Sequence, residues 1–387
     1  MPASDLFGSP DDSAGRLCSA YPLLRSAGMA WLLIAGCHAL TACAPAPLVP
    51  YSTDTPPLVL VPASQVGVKD QRARFREIFC SILNTRGSEL PDNRPCEEAL
   101  TRVGSEPVGT GKPVDLGQSR RRLIGAVVAG VGYECFEQWL QAPGSVAIHL
   151  RQFGYDLVQM KVDALSSSTK NARQIRDAIM AMPAEAGPPR LVLIGYSKGA
   201  PDILEAMVNY PEIRGRVAAV VSAAGSVGGS ALANDAEQYQ ADLLRHFPGA
   251  TCDSGDGGAI DSLRPATRKN WLAQHRLPSE LNYYSLVTFP QPDHISAILK
   301  SSYNKLASID ARNDSQVIFY DQIVPGSRLM GYINADHWAL AVPIARTHST
   351  LGSLLVTQNA YPREALAEAM LRFVEEDLAA SEHLNIK

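Results

Sequence analysis

The sequence predicts an α/β fold: a mostly parallel sheet flanked by helices, with a cap insertion and an N-terminal helical appendage. Three observations predict it. Strand-like and helix-like stretches alternate along most of the chain, the order that buries a parallel sheet between helical layers. The apolar run Leu191-Val192-Leu193-Ile194 passes through Gly195-Tyr196-Ser197-Lys198-Gly199 directly into a helical stretch. Residues 230–280 break the alternation and read as an insertion.

Residues 61–115 precede the core. Phe75, Ile78, Phe79, Ile82 and Leu83 recur at helical spacing, which predicts an amphipathic helix over Asp70–Leu83. A second, short helix is expected near Glu97–Arg102. The core domain then occupies 116–387. Strands are expected at 122–129, 156–162, 190–195, 217–223, 282–288 and 315–321, and helices at 169–182, 201–210, 292–309 and 362–379. The 230–280 insertion holds the glycine-rich Cys252–Gly258 stretch and a helix near Pro265–Gln274. Inserted there, it would lie over the carboxyl ends of the strands and shape a pocket. Gly225-Ser226-Val227-Gly228-Gly229 lacks the Lys-Ser/Thr ending of a phosphate cradle and reads as a flexible loop beside that pocket.

Strand, G-x-S-x-G and helix in succession are the sequence form of a nucleophile elbow. Its turn is so tight that the serine is held in a strained conformation with its hydroxyl above the sheet. The flanking glycines leave room where strand and helix backbones meet. Gly187-Pro188-Pro189 punctuates the chain before the strand, and Pro201 falls in the first helical turn, where proline is tolerated.

A serine hydroxyl needs a base within hydrogen-bond reach and a group that orients the base. Behind such an elbow they follow in the order acid, then histidine. Of the downstream histidines His246, His275, His294, His337 and His348, His337 is the expected base. It stands in a polar loop between the strand-like Ser327–Ile333 region and a C-terminal helical stretch. Gln316–Tyr320 is β-branched and aromatic, so Asp321, closing that run, is the expected orienting carboxylate. Asp336 is its rival, disfavoured because a residue rarely aims its carboxylate at the ring next to it. Asp293-His294 precedes that strand and reads as a loop pair with a capping aspartate. The oxyanion donors are expected to be the backbone N–H groups of Lys198 and of Val131, with Gly132 second to Val131. The Lys198 side chain is expected in solvent, the alternative being contact with a carboxylate at the pocket rim.

From about Arg122 to its C-terminus the chain resembles the α/β-hydrolase superfamily of serine hydrolases, through Gly195–Gly199, Asp321 and His337 in the family's order. It departs from the pattern in the oxyanion loop, which opens Ala129-Gly130 rather than His-Gly, and in the short interval between Asp321 and His337. The resemblance implies hydrolysis of a carboxylic or lipid ester through an acyl-enzyme. The alternative is a non-catalytic envelope lipoprotein that uses the fold as a binding module, against which the complete Ser-Asp-His order argues. No cofactor is expected, and no His, Cys and carboxylate pattern has metal spacing.

The N-terminus carries a different signal. Met29–Leu40 is mostly apolar, follows Arg16 and Arg25, and ends in Leu40-Thr41-Ala42-Cys43. That is the form of a bacterial lipoprotein signal peptide over 1–42, with Cys43 as the lipidated residue. Residues 43–60 form a tether that begins with the stiff Ala-Pro-Ala-Pro-Leu-Val-Pro. The expected location is the cell envelope, lipid-anchored and facing the periplasm, on the outer membrane. Of seven cysteines, Cys80, Cys96, Cys135 and Cys252 remain for two disulfides with three possible pairings. Cys80–Cys96 is the local choice, and Cys135 would then meet Cys252. The net charge is −4 for the chain and about −3 without residues 1–42, which carry two arginines and three aspartates. With no basic run, nucleic acid is not an expected partner. The expected partners are an ester substrate and a membrane.

Overall fold

The computed structural model describes residues 46–54, 67–136, 145–183, 187, 190–236 and 255–385. Cys43, the proposed signal and Cys252 lie outside the described residues. The apolar runs of the central chain become strands β1 (Lys69–Asp70), β2 (Leu100–Thr101), β3 (Ile124–Val128), β4 (Asp156–Met160), β5 (Leu191–Tyr196), β6 (Val217–Ala223), β7 (Asn282–Thr288) and β8 (Arg328–Ile333). They form one sheet in the order β1-β8-β7-β6-β5-β3-β4, with β2 on the edge of β8. Every pairing is parallel except β2 with β8.

The longer helices are α1 (Arg72–Arg86), α2 (Ser145–Arg151), α3 (Ser168–Ala181), α4 (Gly199–Asn209), α5 (Pro265–Gln274), α6 (Lys300–Ala307) and α7 (Arg363–Asn385). Strand β5 explains its own unbroken apolar run. Val192, Ile194 and Tyr196 enter the core shared with α1 and α7, while Leu191 and Leu193 enter the core shared with α3 and α4. A strand covered on both faces has no polar side to alternate.

From Gly67 onward, the described part of the 61–115 stretch packs against the sheet and adds β1 and β2 beside β8. Helix α1 buries Phe75, Ile78, Phe79, Ile82 and Leu83, with Phe75 edge-on to Phe373 of α7 at 6.0 Å. Cys80 and Cys96 are disulfide-bonded. The second helix is the single turn Cys96–Ala99, after which Leu100-Thr101 pairs with β8. Pro45–Lys387 form one unit.

One expected element is absent and another is shortened. Residues 315–321 are not a strand: Asn313 and Asp314 side chains accept the N–H groups of Ser315, Gln316 and Val317. Local side-chain bonds of this kind compete with ladder formation. The chain then makes a 3₁₀ turn at Phe319–Gln322, and β8 takes the next sheet position. The helix expected at 292–309 shrinks to α6 preceded by two 3₁₀ turns, because the Ser296 N–H is drawn to Asp336. Helix α2 was not anticipated.

Part of the 230–280 insertion falls among the described residues. Ser230 N–H donates to Leu263 O at 2.8 Å, and Asp256 accepts the N–H and hydroxyl of Ser167 at 2.7 and 2.6 Å. Helix α5 leans on α4 through Arg268, whose Nη1 lies 2.8 Å from Glu205. Cys135 is disulfide-bonded, and its partner lies outside the described residues.

Candidate active site

Ser197 sits between β5 and α4 at φ +55°, a left-handed conformation costly for a residue with a Cβ. The surroundings hold it there: its N–H donates to Ala223 O at 3.3 Å and its carbonyl accepts the Ser226 N–H at 2.9 Å. The glycines on either side are required by space. A Cβ at Gly195 would lie 2.4 Å from Ala200 Cα, and one at Gly199 would lie 1.9 Å from Val128 O.

Gly130 brings the expected oxyanion loop against the serine, since a Cβ there would stand 2.6 Å from Ser197 Cβ. Among the described residues neither the Lys198 nor the Val131 N–H has a hydrogen-bond partner, so both remain available to a substrate oxygen. The Lys198 side chain corrects the solvent expectation. Its Nζ is buried 2.8 and 2.9 Å from the Asp202 oxygens, one turn along α4, and Asn171 holds the same carboxylate at 2.7 Å. The cation is thereby neutralised within the helix. The Gly225–Gly229 loop is buried.

His337 follows β8 and is buried. Its ring packs 5.0 Å from that of Tyr196, the residue before Ser197, and the Tyr196 hydroxyl donates to His337 O at 2.7 Å. Strand β5 therefore carries the serine and also braces the histidine. The acid on the ring is Asp314, not Asp321: His337 Nδ1 lies 2.7 Å from Asp314 Oδ2, and His337 N–H donates to Asp314 O at 2.9 Å. With Nδ1 engaged by a carboxylate, Nε2 is the nitrogen left for proton exchange.

Asp314 is itself pinned. Its Oδ1 accepts the Gln316 and Val317 N–H groups, while Oδ2 also takes the Thr288 hydroxyl at 2.6 Å and Gln322 Nε2 at 3.3 Å. Such a set of donors holds the carboxylate in one orientation against the His337 ring.

Asp321 stands seven residues further on, in the 3₁₀ turn, with no hydrogen bond to His337. Its Oδ1 lies 3.9 Å from Lys269 Nζ on α5 and against Gly228, where a Cβ would meet it at 2.3 Å. Burial pushes this carboxyl up to about 7, with Lys269 drawing it partly back. The expectation failed because it placed the acid at the end of a strand that does not form. The sequence held a signal for Asp314: Arg312-Asn313-Asp314-Ser315-Gln316 is a polar, turn-forming cluster ahead of the apolar residues.

The rivals have structural roles. Asp336 caps the helix His337–Ala341 through Ala339 N–H at 2.8 Å and accepts Ser296 N–H at 3.0 Å; burial raises its pKa. His294 Nδ1 is 3.3 Å from Asn334 Oδ1, and Asp293 beside it is exposed without a capping bond. Among the described residues no group of His, Cys, Asp and Glu could hold a metal ion. A cavity of about 590 Å³ bordered by Arg121, Tyr155, Arg372 and Glu375 lies at the amino ends of the strands, away from Ser197. Of its lining charges, Arg121 pairs with Glu382 at 2.8 Å and Arg372 with Glu368 at 2.7 Å.

A parallel sheet carrying a left-handed serine after β5, and a buried histidine–aspartate pair behind β8, defines the α/β-hydrolase class of serine hydrolases. The chain belongs to this superfamily, in the family of the metagenomic carboxyl esterase MGS0156: the two are 40% identical over 84% of this chain and 97% of that one, with a TM-score of 0.77. The mature lipase BlEst2 of Bacillus licheniformis is similar in outline only, at 19% identity over 59% of this chain and 89% of that one, TM-score 0.46. The lipase of Staphylococcus hyicus matches at 12% identity over 69% and 99%, TM-score 0.47. No family model and no curated protein matches the chain.

Proposed function

We propose that this protein is a membrane-tethered periplasmic serine hydrolase that cleaves a carboxylic or lipid ester through an acyl-enzyme. Ser197 attacks the ester carbonyl, and His337 Nε2 takes its proton and returns it to the leaving alcohol. Asp314 fixes the imidazole and supports its charge, while the N–H groups of Lys198 and Val131 receive the oxyanion. Water then repeats the sequence on the acyl-enzyme. The observation that carries the reading is the His337–Asp314 bond braced by Tyr196, next to a serine held at positive φ. The ester as substrate is supported by the kinship with a carboxyl esterase.

The tether belongs to the same proposal: Cys43 carries lipid after removal of 1–42, and the chain from Pro45 onward faces the periplasm. The first experiment is labelling with a fluorophosphonate probe. Wild type is expected to label, and Ser197→Ala and His337→Ala are not, with ester turnover falling about 10⁵-fold in Ser197→Ala. A folded wild type that does not label would overturn the catalytic reading. Radiolabelled palmitate incorporated in wild type but not in Cys43→Ser tests the anchor separately.

A further inference from the structure

The first described residues run along the active-site face. Val49 pairs with Asp310, and Ala311 N–H donates to Val49 O at 3.0 Å, just ahead of Asp314. Leu48 is five residue steps from Cys43, a reach of at most about 18 Å. A lipid on Cys43 would therefore hold that face, rather than the amino ends of the strands, next to a bilayer.

The same face exposes apolar side chains. Leu48 is 81% exposed and its neighbour across the Val49 bridge, Ile309, is 38% exposed. At the other end of α6, Ile298 is 45% exposed, and its N–H donates to Leu355 O; Leu355 and Leu354 are 40% and 66% exposed. Helix α6 between them turns Lys300, Ser301, Asn304 and Lys305 outward and contains no acidic residue. Lys305 is paired with the exposed Asp235. Apolar groups flanking a polar strip, with Lys300 exposed on it, suit the interfacial zone of a bilayer. On its inner side α6 supports the site: Tyr303 donates to Ala311 O at 3.0 Å, and Leu306 packs with Phe289 and Phe319.

We propose that Leu48, Ile309, α6, Ile298 and Leu354–Leu355 form a rim that docks on the lipid surface, presenting the Ser197 site to esters held in that surface. The inference rests on the lipid-anchor reading for its tether and on these exposed side chains for its surface. A soluble partner would not require the apolar residues to lie on the tethered face.

The test is amide hydrogen exchange of the full-length protein purified from the envelope, with and without vesicles of phosphatidylethanolamine and phosphatidylglycerol. Amides over 298–309 and 353–356 are expected to slow about fivefold or more with vesicles, while the far end of α7, residues 373–382, does not change. Ile298→Asp combined with Leu354→Asp should lose that protection and the turnover of vesicle-borne ester, while keeping turnover of a short soluble ester. An unchanged rim in a protein that carries palmitate on Cys43 would overturn the docking surface and leave the anchor standing. Rim protection without palmitate would sustain the surface and overturn the anchor. Rim protection that needs no vesicles and grows with a dimer mass in light scattering would assign the face to a second copy and overturn the proposal.

Discussion

At the scale of single residues, two aspartates seven positions apart have opposite surroundings. Asp314 is met by donors on both oxygens, one of them the His337 ring. Asp321 is buried against Gly228 with only a distant Lys269. Asp314→Asn should therefore lower kcat about 10³-fold or more, because an amide can present the wrong group to Nδ1. Asp321→Asn should leave kcat within a few-fold at pH 7. Equal losses in the two variants, read in steady-state kinetics, would return Asp321 to the role first assigned it. The same contrast gives a pH dependence. A carboxyl at about 7 in the fold and near 4 in the unfolded chain binds more protons when folded, so its contribution weakens stability as pH rises from about 4 to 7 and levels off above. Asp321→Asn should match wild type in denaturant unfolding at pH 4 and exceed it by about 2–4 kcal/mol at pH 8. A constant difference across that range would mean that ionisation is not its source.

At the scale of elements, what was legible in the sequence follows what each element answers to. The strands around Ser197 were read closely, since β5 and β6 are buried on both faces and show it as unbroken apolar runs. Helix α1 was read from spacing alone. Asp314 is not legible as the partner of His337 because Gln316–Tyr320 has strand composition, while its conformation is set by Asn313 and Asp314. The other oxygen of Asp314 is held by Gln322 of the following turn and by Thr288, 26 residues earlier at the end of β7. The solvent expectation for Lys198 failed for a similar reason, as its partner Asp202 is one helical turn away but its burial comes from packing by other elements. Helix α5 gives a prediction at this scale. Arg268 is fully buried, bonded to Glu205 of α4 and to Val227 O, and lies over Trp271 at 4.7 Å. Burial lowers the Arg268 pKa and raises that of Glu205, so the pair is held against desolvation. Arg268→Met strands the carboxylate and should cost about 3 kcal/mol in denaturant unfolding. Adding Glu205→Gln should recover part of that loss. A double variant whose loss equals the sum of the single losses would show that the pair is not the link.

At the scale of the whole molecule, the N-terminal stretch reaches the chemistry through the backbone. The Cys80–Cys96 bond fixes the turn Cys96–Ala99 on α1, and the Ala99 carbonyl accepts both Asn334 N–H at 3.0 Å and the Tyr361 hydroxyl at 2.9 Å. The Glu98 carbonyl accepts Asn334 Nδ2 at 2.9 Å, three residues before His337. The loop that carries His337 is thus hung from the turn Cys96–Ala99. Removing the bond with Cys80→Ser and Cys96→Ser reopens a loop of 16 residues in the unfolded chain and should cost about 3 kcal/mol. The carbonyl bonds to Asn334 survive in the folded variant, so its ester turnover at low temperature should stay near that of wild type. Heating separates the two descriptions of this segment. If it is part of the core, activity and tertiary structure disappear together at the lowered melting temperature. If it is a separable appendage, it detaches first: the Asn334–His337 loop loosens and activity falls well before the circular-dichroism transition. Because β1 and β2 pair with β8 and α1 packs on α7, the coincident transition is the expected result.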